Sequence, residues 1–269
     1  RGALLHEMQR TDEALESLSK AIELNPNAAD TYFNRGNIYK DQHELDAAIA
    51  EYSMAIQLQG GFAQALLNRG IALYEQLRLP AAIQDFDAAI VAAPNFADAY
   101  WNKALTLLLA GDFAKGWPLH EWRWKIKNAP SEIRNFSAPL WLGRESLEGK
   151  TILLHAEQGL GDSIQFCRYA RLVAALGARV VLEVQKPLVN LLTPLDGVSE
   201  VIGRNDPLPN FDMHCPLLSL PQVFQTHFDN IPNGTRYLRA SPKKVAQWSN
   251  VLGERKSALR IGLVWSGNT

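Results

Sequence analysis

Three series of residues recur at a spacing of 34 in the first half of the chain, and that period constrains the fold more than any other feature. Gly2, Gly36, Gly70 and Ala104 form one series, Ala14, Ala48, Ala82 and Gly116 a second, and Leu18, Tyr52, Phe86 and His120 a third. Pro26 and Pro94 stand two periods apart, with Gly60 midway. A period of this length marks a stack of similar units, none of which covers its own apolar face alone. Apolar residues within a unit follow helical spacing and predict two amphipathic helices, for example residues 29–42 and 45–58. Gly36 and Ala48 carry almost no side chain and allow the two backbones to approach, while Tyr32, Tyr39 and Tyr52 fill the surrounding space. The first unit lacks most of its first helix.

The last unit departs from the pattern. Arg123 stands where Ala21, Ala55 and Ala89 stand earlier, and Trp117, Trp122 and Trp124 crowd the final helix. Such a helix is expected to pack on something other than another repeat, and the following domain is the expected partner. Asn34, Asn68 and Asn102 share the same spacing, each followed by a base: Arg35, Arg69 or Lys103. An amide both donates and accepts, so a column of them suits an extended peptide backbone. The same residues would equally satisfy local backbone groups or face water.

With a period of 34, small residues at helix contacts and a turn proline between units, residues 1–127 resemble the tetratricopeptide repeat. The resemblance places the first helix of each unit on a concave surface. It also makes the asparagine series similar to the ladder in the repeats of O-GlcNAc transferases, which implies a protein or peptide partner.

Composition narrows the remaining classes. Lys and Arg number 27 against 28 Asp and Glu, and 47% of the 269 residues are hydrophobic, as in an ordinary globular protein of about two domains. The near-neutral charge argues against a dedicated nucleic-acid binder. No apolar run approaches the roughly 18 residues of a membrane span. Two cysteines, Cys167 and Cys215, provide neither a disulfide scaffold nor a zinc site and fit a cytoplasmic location. The sequons at Asn135 and Asn233 read as incidental. A start at Arg1 and an end at Thr269, just past an apolar run at 259–264, lead us to expect a piece of a longer protein.

Residues 128–150, with Pro130, Pro139, Gly143 and Gly149, read as a linker. From 151 to 257 short apolar runs alternate with helical patterns. Strands are expected at 151–156, 179–184, 200–203 and 211–215, and helices at 162–176, 187–195, 220–226 and 241–252, with Ser219 as a cap. A further strand at 259–264 opens a segment spanning 258–269. This alternation predicts a doubly wound parallel sheet, so the fold class is an α-solenoid followed by an α/β domain. Ligands of such sheets bind outside the carboxyl ends of the strands, here residues 157–162 and 216–219.

The loop Glu157-Gln158-Gly159-Leu160-Gly161-Asp162 carries the strongest chemical signal. Its glycines are expected to permit a tight turn and close approach to a ligand. The helix after them would offer N–H groups to an anion. A dinucleotide fingerprint would need glycine where Ile164 stands, and Glu183 falls inside the second strand instead of beyond it. Asp162 and Gln165 are also close to a capping box. His155 reads as a buried structural histidine and Cys167 as core; no spacing of His, Asp or Glu reads as a metal site.

Pro139, Trp141, Gly143, Gly149-Lys150 and the run from Thr151 through Gly161-Asp162 to Tyr169 resemble bacterial tetratricopeptide proteins that carry a glycosyltransferase-like domain. Their enzyme relatives are the heptosyltransferases of glycosyltransferase family 9. The resemblance implies a GT-B fold, two Rossmann-like halves facing a cleft, with this chain holding the acceptor half and the opening strand of the donor half. It implies Asp162 as the general base. It further implies substrate contacts from Glu157, Gln158, Gly159, Gly161, Ser266, Gly267 and Asn268, a nucleotide-sugar donor, and no metal or other cofactor. The expected function is sugar transfer by the parent protein, the fragment itself being inactive. The alternative is a non-catalytic interaction scaffold with a vestigial transferase domain.

Overall fold

The computed structural model describes residues 1–127, 134–232 and 236–253. Eight helices build the N-terminal half: α1 (Gly2–Glu7), α2 (Thr11–Leu24), α3 (Ala29–Asp41), α4 (Leu45–Leu58), α5 (Ala63–Glu75), α6 (Leu79–Ala92), α7 (Ala97–Leu109) and α8 (Phe113–His120). The period of 34 is visible as a repeated contact. A Cβ on Gly36 would lie 2.7 Å from the Tyr52 ring, and one on Gly70 would lie 2.5 Å from the Phe86 ring. Glycine at these sites lets the paired helices close over a fully buried aromatic residue. Ala14, Ala48 and Ala82 are likewise fully buried.

The basic residue after each ladder asparagine braces the stack. Arg35 donates to Ser19 of α2 and to Glu51 of α4, and Arg69 donates to Ser53 of α4 and to Asp85 of α6. Each guanidinium therefore ties the second helices of two successive units together. Lys103 reaches Asp87 of α6.

The C-terminal half is built on β1 (Thr151–His155), β2 (Arg179–Val184), β3 (Glu200–Gly203) and β4 (Met213–Pro216). All pairings are parallel, in the order β3-β2-β1-β4. The helical pieces are α9 (Leu160–Phe166), α10 (Ala170–Ala174), α11 (Val189–Leu192), α12 (Leu220–Val223) and α13 (Pro242–Leu252). Ile152, Leu154, Val180 and Leu182 face a core shared with Cys167, Ala170, Val173, Leu192 and Leu217. Leu153, Val181 and Ile202 point the other way, onto Phe136, Leu208 and Phe211. Among the described residues that second face is covered by irregular segments where a doubly wound sheet would have helices. The crossover from β3 to β4 is too short to hold one.

Other expectations need correction. The single helix at 162–176 is two helices joined by a 3-10 turn, Cys167–Tyr169. A continuous helix would carry Tyr169 off the face that buries Cys167, Ala170 and Val173; the turn brings it in, and its hydroxyl meets Thr226 Oγ1 at 2.8 Å. The segment 128–150 is not simply a linker, because Trp141 and Leu147 are buried in the α/β core and Leu140 bridges His214 beside β4. The strand expected at 259–264, with Ser266, Gly267, Asn268 and the rest of segment 258–269, lies outside the described residues, as do Pro130 and Asn233.

Candidate functional site

In the order β3-β2-β1-β4 the chain reverses direction across the sheet at β1, and the crevice between the carboxyl ends of β1 and β4 is the place such sheets offer a ligand. Here that crevice is occupied from within. Arg123, in the 3-10 turn Glu121–Trp124 that follows α8, inserts a fully buried side chain. Its Nε and Nη2 donate to the two carboxylate oxygens of Glu157, just past β1, at 2.9 Å each, and Nη2 also donates to Ser219 Oγ, just past β4, at 2.8 Å. Nη1 donates to Glu121 Oε1 at 2.7 Å, and Ser219 Oγ donates to the same oxygen at 2.9 Å. A bidentate guanidinium–carboxylate pair is among the strongest polar contacts a protein makes. It joins the last repeat to both strands that frame the crevice.

The electrostatics follow from burial. Burial pushes the Glu157 carboxyl above its ordinary range, and the hydrogen bonds from Arg123 only partly offset this. Burial alone would lower the Arg123 value, but the carboxylates of Glu157 and Glu121 together outweigh it and the guanidinium is held above its ordinary range. His120, beside Arg123, is lowered to about 3, first by burial and then by that positive charge. Glu157 was expected to touch substrate; its carboxylate is engaged by Arg123. Ser219 holds the N-cap position of α12 as expected, but its hydroxyl makes no cap bond and bridges Arg123 and Glu121 instead.

The three tryptophans are each half-buried and do different work. Trp117 meets Phe166 of α9 edge-on, with centroids 6.2 Å apart. Trp122 stacks on Tyr100 of α7 at 3.8 Å, inside the repeats. Trp124 lies under the Arg123 guanidinium at 4.4 Å. Trp117 reaches across to the α/β domain through this ring contact, Trp124 backs the buried guanidinium, and Arg123 is the principal clamp. Its substitution for alanine in the repeat pattern was the sequence signal; its partners were not readable.

On the other side of Glu157 lies a cavity of about 180 Å³ lined by Arg134, His155, Ala156, Glu157, Arg204 and Asn205. Arg204 Nη2 donates to the Ala156 carbonyl at 2.6 Å, and Arg134 pairs with Glu183. Glu183, inside β2, is thus a buried ion-pair partner. His155 Nε2 lies 3.2 Å from His214 Nδ1, and burial, reinforced by His214, lowers His155 to about 3. It is buried and neutral at physiological pH. Sequence reasoning missed Arg134 and Arg204, which carry no local pattern.

The glycine loop differs from expectation in one respect. Gly159 has φ −68° and ψ 170°, an extended conformation open to any residue. Gly161 is not among the glycines with positive φ, and a Cβ there would meet nothing within 4 Å. Neither glycine is required by backbone geometry; Gly161 leaves open space at the loop surface. Asp162 is not the N-cap of α9, since Gly159 holds that place. Asp162 sits at the third helical position and its Oδ2 accepts from Gly159 N–H at 3.0 Å. Its second oxygen has no partner among the described residues. Gln185 holds the loop from behind, donating to the Gln158 carbonyl at 2.6 Å and accepting from Ser163 Oγ at 2.8 Å.

Asn34, Asn68 and Asn102 occupy equivalent places on α3, α5 and α7, all half-buried. Asn68 Nδ2 donates to Asn37 Oδ1 at 2.8 Å, and that oxygen also accepts from Tyr52 at 2.9 Å. Asn102 Nδ2 donates to the Asp98 carbonyl of its own helix at 2.8 Å. Asn34 has no side-chain hydrogen bond to another described residue. Among the described residues no group of three metal-ligating side chains converges, and no helix is long and apolar enough to cross a membrane.

This arrangement defines a helical-repeat module fastened to a parallel α/β unit, and comparison with known proteins identifies the repeats. The TPR repeat model matches residues 2–43 and 36–76, and the tetratricopeptide repeat model matches residues 67–116. The chain therefore carries tetratricopeptide repeats. Protein FlbA of Caulobacter vibrioides is 25% identical over 182 residues, a match that takes in 60% of this chain and 30% of that protein. The chain thus spans less than a third of the length of this curated relative. Among solved structures, MamA is 25% identical with a TM-score of 0.44, covering 47% of this chain and 74% of that one. Pseudomonas aeruginosa pilF is 27% identical with a TM-score of 0.42, covering 46% and 55%. The first TPR domain of Spaghetti (RPAP3), bound to the HSP90 peptide SRMEEVD, is 20% identical with a TM-score of 0.40, covering 40% and 86%.

Proposed function

We propose that the repeats hold a protein partner in extended form while the α/β unit acts as the acceptor half of a GT-B-type glycosyltransferase, with Asp162 as the general base. The observation that carries this reading is the state of the Glu157–Asp162 loop. It stands at the carboxyl edge of the sheet, is held from behind by Gln185, has open space at Gly161, and presents an Asp162 carboxylate with one oxygen in the helix cap and the other unpartnered. A carboxylate fixed in this way can accept the proton of an acceptor hydroxyl as it attacks an anomeric carbon. The nucleotide-sugar donor would bind a second half of the fold, and no metal or further cofactor enters the scheme. The latch from Arg123 to Glu157 and Ser219 would set the distance between the bound partner and that base.

A second reading, an interaction scaffold with a vestigial transferase domain, is favoured by one observation: Arg123 fills the crevice between β1 and β4 and engages Glu157. Transfer of labelled sugar by the full natural chain from a panel of nucleotide sugars separates the two. Transfer supports the enzyme, and partner binding without transfer supports the scaffold. The peptide role has its own test. Replacing Asn34, Asn68 and Asn102 together by Ala should weaken an extended protein partner about tenfold, as lost backbone hydrogen bonds would. Undiminished binding would remove the ladder from the account.

A further inference from the structure

Away from the carboxyl edge of the sheet, four arginines converge on a cavity of about 340 Å³ lined by Arg168, Arg171, Asp196, Arg236, Tyr237 and Arg239, with Leu195 and Pro232. We propose that this cavity binds a ligand bearing two linked phosphate groups. The argument begins with Arg168. Its Nε donates to the Gln165 carbonyl at 2.8 Å, Nη1 to the Pro232 carbonyl at 3.1 Å and Nη2 to the Tyr237 hydroxyl at 3.2 Å, and its guanidinium lies 4.7 Å from the Tyr237 ring centre. Every partner is neutral. The charge is held in one orientation without being cancelled, which is how a protein prepares a site for an anion.

Cation and anion are unequal in number around the cavity. Arg171 and Arg236 are exposed and have no side-chain partner among the described residues. Arg239 faces Asp196 at 3.6 Å, the single carboxylate in the lining, and both side chains are about two-thirds exposed. Four guanidinium groups against one carboxylate repel one another until an anion enters, and a single small anion leaves most of that charge unmatched. Arg239 also lines a second cavity of about 840 Å³, whose wall carries Lys243 and Lys244 at the start of α13. Positive charge thus continues past Arg239 from one cavity wall to the next, and the planar fork of arginine matches phosphate oxygens in pairs. The site is separate from the loop bearing Asp162, and neither the repeats nor the proposed transfer chemistry requires it.

The test is calorimetric titration of the chain with inorganic pyrophosphate, orthophosphate and anionic vesicles of phosphatidylglycerol. Pyrophosphate should bind at least about tenfold more tightly than orthophosphate, because two phosphates share the guanidinium groups. Joint replacement Arg171→Glu and Arg236→Glu, at exposed positions, should leave the melting curve unchanged and weaken pyrophosphate at least about tenfold. Equal affinity for the two phosphates would overturn the proposal. So would undiminished binding in the double variant, or binding of vesicles without binding of pyrophosphate.

Discussion

Arg123 is the residue on which the relation of the two halves turns. Its side chain and that of Glu157 are 0% and 1% exposed, so the pair is screened from water. Removing one partner from a buried pair leaves an uncompensated charge, and Arg123→Ala should cost about 3–5 kcal/mol in urea unfolding. The double replacement Arg123→Met and Glu157→Leu should cost much less, since neither charge remains buried. If Arg123→Ala unfolds at the parental midpoint, the latch contributes nothing. Only part of this could be read in advance. An arginine among alanines at one repeat position announces an exception, but its acceptors in the α/β unit lie 34 and 96 residues away in the chain. No local pattern encodes a contact across that separation. The tryptophans beside it drew attention by their size, yet Trp122 packs within the repeat module and Trp124 backs the Arg123 guanidinium.

Elements repeat the lesson in a different form. Helices α3 and α4 fall close to where the apolar spacing put them, because each repeat solves the same packing problem and the solution is written several times. Gly70 shows the constraint: a Cβ there would lie 2.5 Å from the Phe86 ring, so Gly70→Ala should destabilise by about 1–3 kcal/mol in thermal or urea unfolding. Gly161 is the contrast. With nothing within 4 Å of a Cβ and a helical position, Gly161→Ala should leave stability unchanged or raise it by about 0.5–1 kcal/mol. A large loss there would show a constraint on the loop that its geometry does not contain. The strands were legible as elements, Arg179–Val184 and Glu200–Gly203 to the residue, whereas their order in the sheet and the extents of the helices were not. The expected helix at 162–176 breaks because Tyr169 must reach Thr226, a tertiary demand that overrides helical spacing.

For the whole molecule, acid should loosen the structure. His120 and His155 are both lowered to about 3, from an ordinary value near 6.5, chiefly by burial. The unfolded chain therefore binds more protons than the folded one between those values. Stability is fully present above about pH 6.5 and falls as pH drops toward 3, by up to about 1.4 kcal/mol per pH unit for each histidine. His214 is shifted in the same direction, first by burial and then by Arg134, and adds to the trend. Melting temperature measured from pH 7 to pH 4 should decline accordingly, and His155→Gln should flatten the slope; a pH-independent melt would contradict the burial of these rings. At this scale the candidate site was half legible: the loop and its carboxylate could be located from the glycines and the strand before them, whereas its neighbours Arg134 and Arg204 could not. The central claim concerns that carboxylate. Asparagine can still accept the Gly159 N–H but cannot take a proton, so Asp162→Asn in the full natural chain separates the cap from the base. The account predicts an unchanged melting temperature and a fall in sugar transfer of at least about a hundredfold, the scale of general-base catalysis; transfer at the parental rate would reduce Asp162 to a helix cap.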